Sequence, residues 1–293
     1  PATTLASGKG HRDENFPVAS MLIAQVHRAP VMAFYRFARA ADDIADHPAA
    51  PREDKLARLA SMRAGLAGDP AGAPEALALR AVMAARAIDG AHASELLDAF
   101  ERDVTVNRYQ SWDMLIGYCR VSAMPVGRFV LDVHGEDRAL WPMSDALCAA
   151  LQVINHLQDC GRDYRAIDRV YLPADMLAEH GAHLDDLGAG RASPALLDAL
   201  RATAGRTRAL LARAAPFASG IANGRLAAEV TAIHRLATSL VARLEARDPL
   251  SQRVHHRRRE ALLIAAGAAL LVLAGRAFAP RHGAARRSRA GRR

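Results

Sequence analysis

The chain is predicted to be all-α. Ala, Leu and Arg recur over long stretches with few β-branched runs, so summed propensity favours helix. Turn residues divide the 293 residues into units of about 10 to 25 residues, near or above the usual helix length. No segment reads as a strand.

The divisions fall in order at Pro30, at His47-Pro48, over Gly68-Asp69-Pro70-Ala71-Gly72-Ala73-Pro74, and at Gly135, Pro142 and Pro173. They continue at Gly188-Ala189-Gly190, Pro194, Pro216, Gly224 and Pro249. No repeat of fixed period is visible, and only the Arg/Ala/Gly stretch after Pro280 is low in complexity. We therefore expect one helical domain over residues 1–280 and a basic, disordered tail over 281–293.

About half the residues are apolar, enough for a substantial core. The net charge is +8, but residues 253–293 carry eleven Arg and one Glu, a net of +10, which leaves −2 for everything before them. A nearly neutral body without interleaved aromatics or a recognition motif excludes a nucleic-acid partner. Cys119, Cys148 and Cys160 lack a CxxC spacing and the start of the chain lacks a secretory apolar region, so a reduced, cytoplasmic protein is expected. Residues 261–275 form the one membrane candidate; they fall short of the roughly 20 residues of a span and are followed by Arg276. A buried final helix is the first expectation. Peripheral contact of that helix and the Arg-rich tail with the inner membrane is the second.

Two acidic segments carry chemistry. In the first, Phe34-Tyr35-Arg36-Phe37-Ala38-Arg39-Ala40-Ala41-Asp42-Asp43-Ile44-Ala45-Asp46, Asp42 and Asp46 share a helix face with Arg39 one turn earlier. Carboxylates at a helix C-terminus oppose the macrodipole, so a cation should accompany them; magnesium and a solvated surface face are both open readings. In the second, Leu151-Gln152-Val153-Ile154-Asn155-His156-Leu157-Gln158-Asp159-Cys160-Gly161-Arg162-Asp163, a stripe of Gln152, Asn155 or His156, Asp159 and Asp163 runs down an otherwise apolar helix. Buried carboxylates need a counter-charge, either a metal or an ion-pair network through Arg162 and Arg165. Two such helices facing each other could cage a diphosphate through Mg²⁺, which is usually held by one or two carboxylates plus substrate phosphates. Arg36, Arg39, Arg165 and Arg169 are available to grip phosphate oxygens.

With Arg169-Val170-Tyr171-Leu172-Pro173 after the second motif, these residues resemble the squalene/phytoene synthase family, whose fold is the single-domain isoprenoid synthase helical bundle around a central apolar cavity. The resemblance runs from about Glu14 to about His255. It includes Phe16-Pro17-Val18-Ala19-Ser20 and the segment from Tyr118 to Pro125-Val126-Gly127. It implies Mg²⁺ ligation by Asp42, Asp46, Asp159 and Asp163, phosphate contacts from Arg39 and Arg169, and substrate or metal-water contacts from Gln152 and Asn155. It also implies a phosphate-side role for Ser20, a residue that serves equally as a helix cap.

Three positions depart from the family pattern: Gln158 stands where an Arg is usual, Arg162 where an acid is usual, and Arg120 where a Tyr is usual. These departures resemble the hydroxysqualene synthase branch of bacterial hopanoid biosynthesis. That branch ionises presqualene diphosphate and lets water capture the rearranged cation, and Arg120, Gln158 and Arg162 are expected either to hold that water or only to rebalance charge around the metals. Alternatives are synthases of presqualene diphosphate, squalene or phytoene, the first condensing two molecules of farnesyl diphosphate, and a non-catalytic helical assembly factor. Without a Gly-rich dinucleotide fingerprint, no NADPH is expected.

Overall fold

The computed structural model describes residues 23–278. The chain runs through α1 (Gln25–Ala45), α2 (Arg52–Ala67), α3 (Pro74–Ala84), α4 (Ala91–Asp103), α5 (Trp112–Ser122) and α6 (Met124–His134). It continues through α7 (Trp141–Ile167), α8 (Ala174–Glu179), α9 (Pro194–Ala214), α10 (Phe217–Gly220), α11 (Gly224–Ala246) and α12 (Arg258–Phe278). Among the described residues there is no strand, only an isolated parallel bridge between Arg108 and Val170. Ser20, with the motif around it, and the tail over 281–293 lie outside the described residues.

Three helices, α5, α9 and α11, begin where a side chain supplies an acceptor for the free N–H groups of the first turn. Ser111 accepts from the Met114 N–H, Ser193 from that of Leu196, and Asn223 from those of Arg225 and Leu226. Proline occupies the first turn of α3, α6, α7 and α9, where its missing N–H costs nothing.

Pro30 does not divide the chain as expected; it lies inside α1. A proline there leaves the carbonyl four residues back without its helical donor, and Arg86 donates to that Val26 carbonyl at 2.5 Å. The 261–275 stretch is also not the one membrane candidate: Trp112–His134 has the length and apolarity of a span. It is broken at Ala123 (φ −124°) into α5 and α6, and Leu115, Tyr118, Cys119, Phe129 and Leu131 are buried in the core, which accounts for its apolarity.

The core forms two clusters. Ile154, Leu157, Leu196, Leu240 and Val241 belong to one, centred on α7 and covered by α5, α6, α9 and α11. Phe34, Phe37, Leu59, Leu79, Leu97 and Phe129 belong to the other, which joins α1 to α2, α3, α4 and α6. Phe34 stacks on Phe129 with ring centroids 4.1 Å apart. The two acidic helices, α1 and α7, thus sit in different clusters and share α6 as a neighbour.

The final helix is not the buried helix expected first. It packs along α11 through Ala268 and Ala269, while Leu262, Leu263, Leu270 and Leu271 face solvent.

Candidate active site

The first acidic motif occupies the last turn of α1, and Asp46 is its C-cap residue. Arg39 reaches one turn forward and pairs with Asp42 and Asp43, each at 2.9 Å. Lys55 donates to the Ala45 carbonyl at 2.9 Å, placing a cation on the negative end of the helix dipole. Burial lowers the Lys55 pKa, Asp46 opposes that shift and Arg169 adds to it.

The second motif lies on α7, which carries Gln152, Asn155, Asp159 and Asp163, all half-buried, along one face. Arg162 pairs with Asp159 at 2.7 Å and Asp163 at 3.4 Å. Even so, burial and then repulsion from Asp159 push the Asp163 carboxyl up to about 6, with Asp46 adding to the rise. The influence of Asp46 on Asp163 brings the ends of the two motifs within electrostatic reach of each other.

Arg169 makes the direct link. α7 ends at Asp168, held in the left-handed region (φ 51°, ψ 40°), which Asp tolerates better than most residues. Arg108 grips both the carbonyl and the carboxylate of Asp168. The chain then runs beside residues 107–109, with the Val170 N–H donating to the Asn107 carbonyl and the Ala174 N–H to the Tyr109 carbonyl, both at 2.9 Å. This reversal buries the Arg169 guanidinium, which donates to Asp46 at 2.8 Å and to the Asp103 carbonyl at 3.0 Å.

Behind Arg169 lies a group that sequence reasoning missed. Asp103 is buried and accepts from the Tyr118 hydroxyl at 2.8 Å and more weakly from Tyr171 at 3.4 Å. Burial pushes its carboxyl up to about 7, Arg169 and Tyr118 oppose the rise, and Asp46 and Asp42 add to it. His156 stacks on Tyr171 with centroids 3.4 Å apart, and burial, then Arg169, lower its pKa to about 3, so the imidazole is neutral. Tyr109 stacks on the other side of the cluster, 5.5 Å from Tyr171. A signal for Asp103 was available: it continues the buried face of α4 through Leu96 and Ala99, where a carboxylate is out of place unless partnered.

The expected water-holding trio does not assemble. Arg120 is exposed and, two residues on from the inward-facing Tyr118, projects from the opposite side of α5. Among the described residues it forms no ion pair with either acidic motif. Gln158 is buried, but on α7 it lies about 100° round from Asp159, off the polar stripe. Of the three, Arg162 is the one that forms ion pairs with Asp159 and Asp163 among the described residues. Arg36 and Arg165 are exposed, and Arg165 donates to the Leu187 carbonyl, so neither joins the cluster.

Among the described residues, no three His, Cys, Asp or Glu side chains converge on one point. The donor set instead offers carboxylates in pairs, and burial, followed by repulsion from Asp159, raises the Asp163 pKa. Such pairs suit a hard divalent cation that keeps waters and completes its shell with substrate phosphate. A surface recess of about 510 Å³ beside Arg191, Pro194, Asp198 and Asp248 contains none of these residues.

The squalene/phytoene synthase family matches residues 10–260, a span that contains both aspartate pairs and Arg169. The chain belongs to that family. It is 52% identical over 279 residues to the hydroxysqualene synthase of Zymomonas mobilis, covering 94% of this chain and 93% of that one. To the hydroxysqualene synthase of Rhodopseudomonas palustris it is 50% identical, covering 94% and 95%. The crystal structure of squalene synthase HpnC from Alicyclobacillus acidocaldarius aligns with a TM-score of 0.70 at 33% identity, over 78% of this chain and 87% of that one. Membership of the squalene/phytoene synthases makes the chain an enzyme acting on isoprenoid diphosphates, with the isoprenoid synthase helical fold.

Proposed function

We propose that this member of the family is a hydroxysqualene synthase: presqualene diphosphate and water give hydroxysqualene and diphosphate. The observation that carries the reading is identity of about half over nearly the full length to relatives of that name, in a chain that places one aspartate pair at the end of α1 and the other near the end of α7. Mg²⁺, when bound, supplies positive charge that stabilises the departing diphosphate.

The chain's own residues do the rest. Asp42, Asp46, Asp159 and Asp163 would hold the metal, and Arg39 and Arg169 donate to phosphate oxygens as their pairing with the aspartates is exchanged. Gln152 and Asn155, on the face of α7 before Asp159, contact substrate or metal-bound water, and Ser20 serves the phosphate side. The rings of Tyr118, Tyr171 and His156 pack on one another behind Arg169 and brace the buried guanidinium. Water capture followed by proton loss ends the reaction without a hydride donor, so NADPH is not required. Cys119, Cys148 and Cys160 are free thiols, which suits a reducing, cytoplasmic setting.

The test is incubation of the purified protein with presqualene diphosphate and Mg²⁺, without NADPH, in ¹⁸O-labelled water. Labelled hydroxysqualene and diphosphate in equal amounts are expected. A hydrocarbon formed only with NADPH, or efficient consumption of farnesyl diphosphate alone, overturns the assignment.

A further inference from the structure

A helix packed on the outside of a protein normally turns charged residues to water. Among the described side chains of α12, the exposed positions over residues 261–275 are Leu262, Leu263, Ala266, Gly267, Leu270, Leu271, Ala274 and Gly275, in a helical register without a polar residue. The four leucines are 69%, 75%, 67% and 60% exposed, and they make up most of the large apolar side chains exposed among the described residues. This concentration on one face is a contiguous patch, not the scatter expected of an ordinary surface.

The charge around the patch selects its occupant. Arg257, Arg258 and Arg259 are exposed at its N-terminal edge, and the neighbouring Glu260 is held by Arg243. Past the C-terminal edge, residues 281–293 add six Arg and no acid. A second copy docked on this face, parallel or antiparallel, would bring Arg against Arg. An anionic lipid surface meets both the leucines and the arginines.

We propose that α12 docks the enzyme on anionic bilayers, lying in the membrane plane with its leucine face among the acyl chains and its arginines at the headgroups. A spanning orientation is excluded by packing: the Ala268 and Ala269 side of the helix is buried along α11 and cannot meet lipid. This inference is independent of the reaction assigned above, because binding is read without turnover.

The full chain is floated with vesicles of phosphatidylcholine alone and of phosphatidylcholine mixed with phosphatidylglycerol, at low and high salt. The parent protein is expected to bind the mixed vesicles, and high salt to weaken that binding. Leu263→Gln/Leu271→Gln should lower partitioning at least tenfold with an unchanged melting temperature. Arg257→Gln/Arg258→Gln/Arg259→Gln should remove most of the preference for phosphatidylglycerol. Equal flotation of the parent and the folded leucine variant overturns the proposal. So does a parent that forms a dimer, binds no vesicles, and becomes monomeric on the same leucine substitutions, since the face then belongs to a second copy.

Discussion

The guanidinium of Arg169 donates to the carboxylate of Asp46 at 2.8 Å across 123 residues of sequence. This contact ties the segment after the second acidic motif to the last residue of the first. Its charge is kept because Tyr171, Asp103 and Asp46 together outweigh the burial that would otherwise lower its pKa.

Replacing Arg169 should therefore affect both stability and chemistry. Arg169→Ala leaves Asp46 and buried Asp103 without their cation and is expected to cost ~3 kcal/mol in urea denaturation. Arg169→Lys keeps the charge but not the two-pronged donor, so it should recover most of the stability and little of the diphosphate release. Equal activity in the Lys variant and the parent would remove Arg169 from phosphate recognition.

Each of Asp42→Asn, Asp46→Asn, Asp159→Asn and Asp163→Asn should keep the helical circular dichroism of the parent and reduce turnover by about 100-fold or more. Chelation with EDTA should reproduce the loss in the parent, and added Mg²⁺ should reverse it there but not in the variants. Full activity in both Asp46→Asn and Asp159→Asn would sink the two-helix metal cage.

Asp103 makes a pH prediction whose sign follows from its raised pKa. With the folded value near 7 and the ordinary carboxyl value at 3.8, the native state retains a proton that the unfolded chain has lost between those values. This contribution to stability therefore falls as pH rises from about 4 through 7, by up to ~4 kcal/mol. Urea denaturation of the parent and of Asp103→Asn across that range should show the parent losing stability relative to the variant as pH rises. Parallel curves would mean that Asp103 is ionised throughout.

Gly127 permits the close approach of α6 to α7. A Cβ there would stand 2.6 Å from Cys148 Sγ and nearer still to Ser144 Oγ. Gly127→Ala is expected to lower stability by ~1–3 kcal/mol through overpacking. Pairing it with Ser144→Ala should return part of that loss, and the absence of any recovery would place the clash elsewhere.

The helices and the i, i+4 aspartates were legible in the sequence, because helix periodicity is local and depends on residues a few positions apart. The same local rule placed Gln152, Asn155, Asp159 and Asp163 on one face. What stands opposite that face was not local. The partners that surround Asp103 and the turn of Arg169 back to Asp46 were decided by packing between distant segments. α12 makes the same division: its apolar run could be read from sequence as a helix, but a leucine face buried on α11 and one turned to solvent have the same periodicity. Only the tertiary structure chose between them, because the smaller Ala268 and Ala269 face is the one that seats closely against α11 and the leucines are left outward.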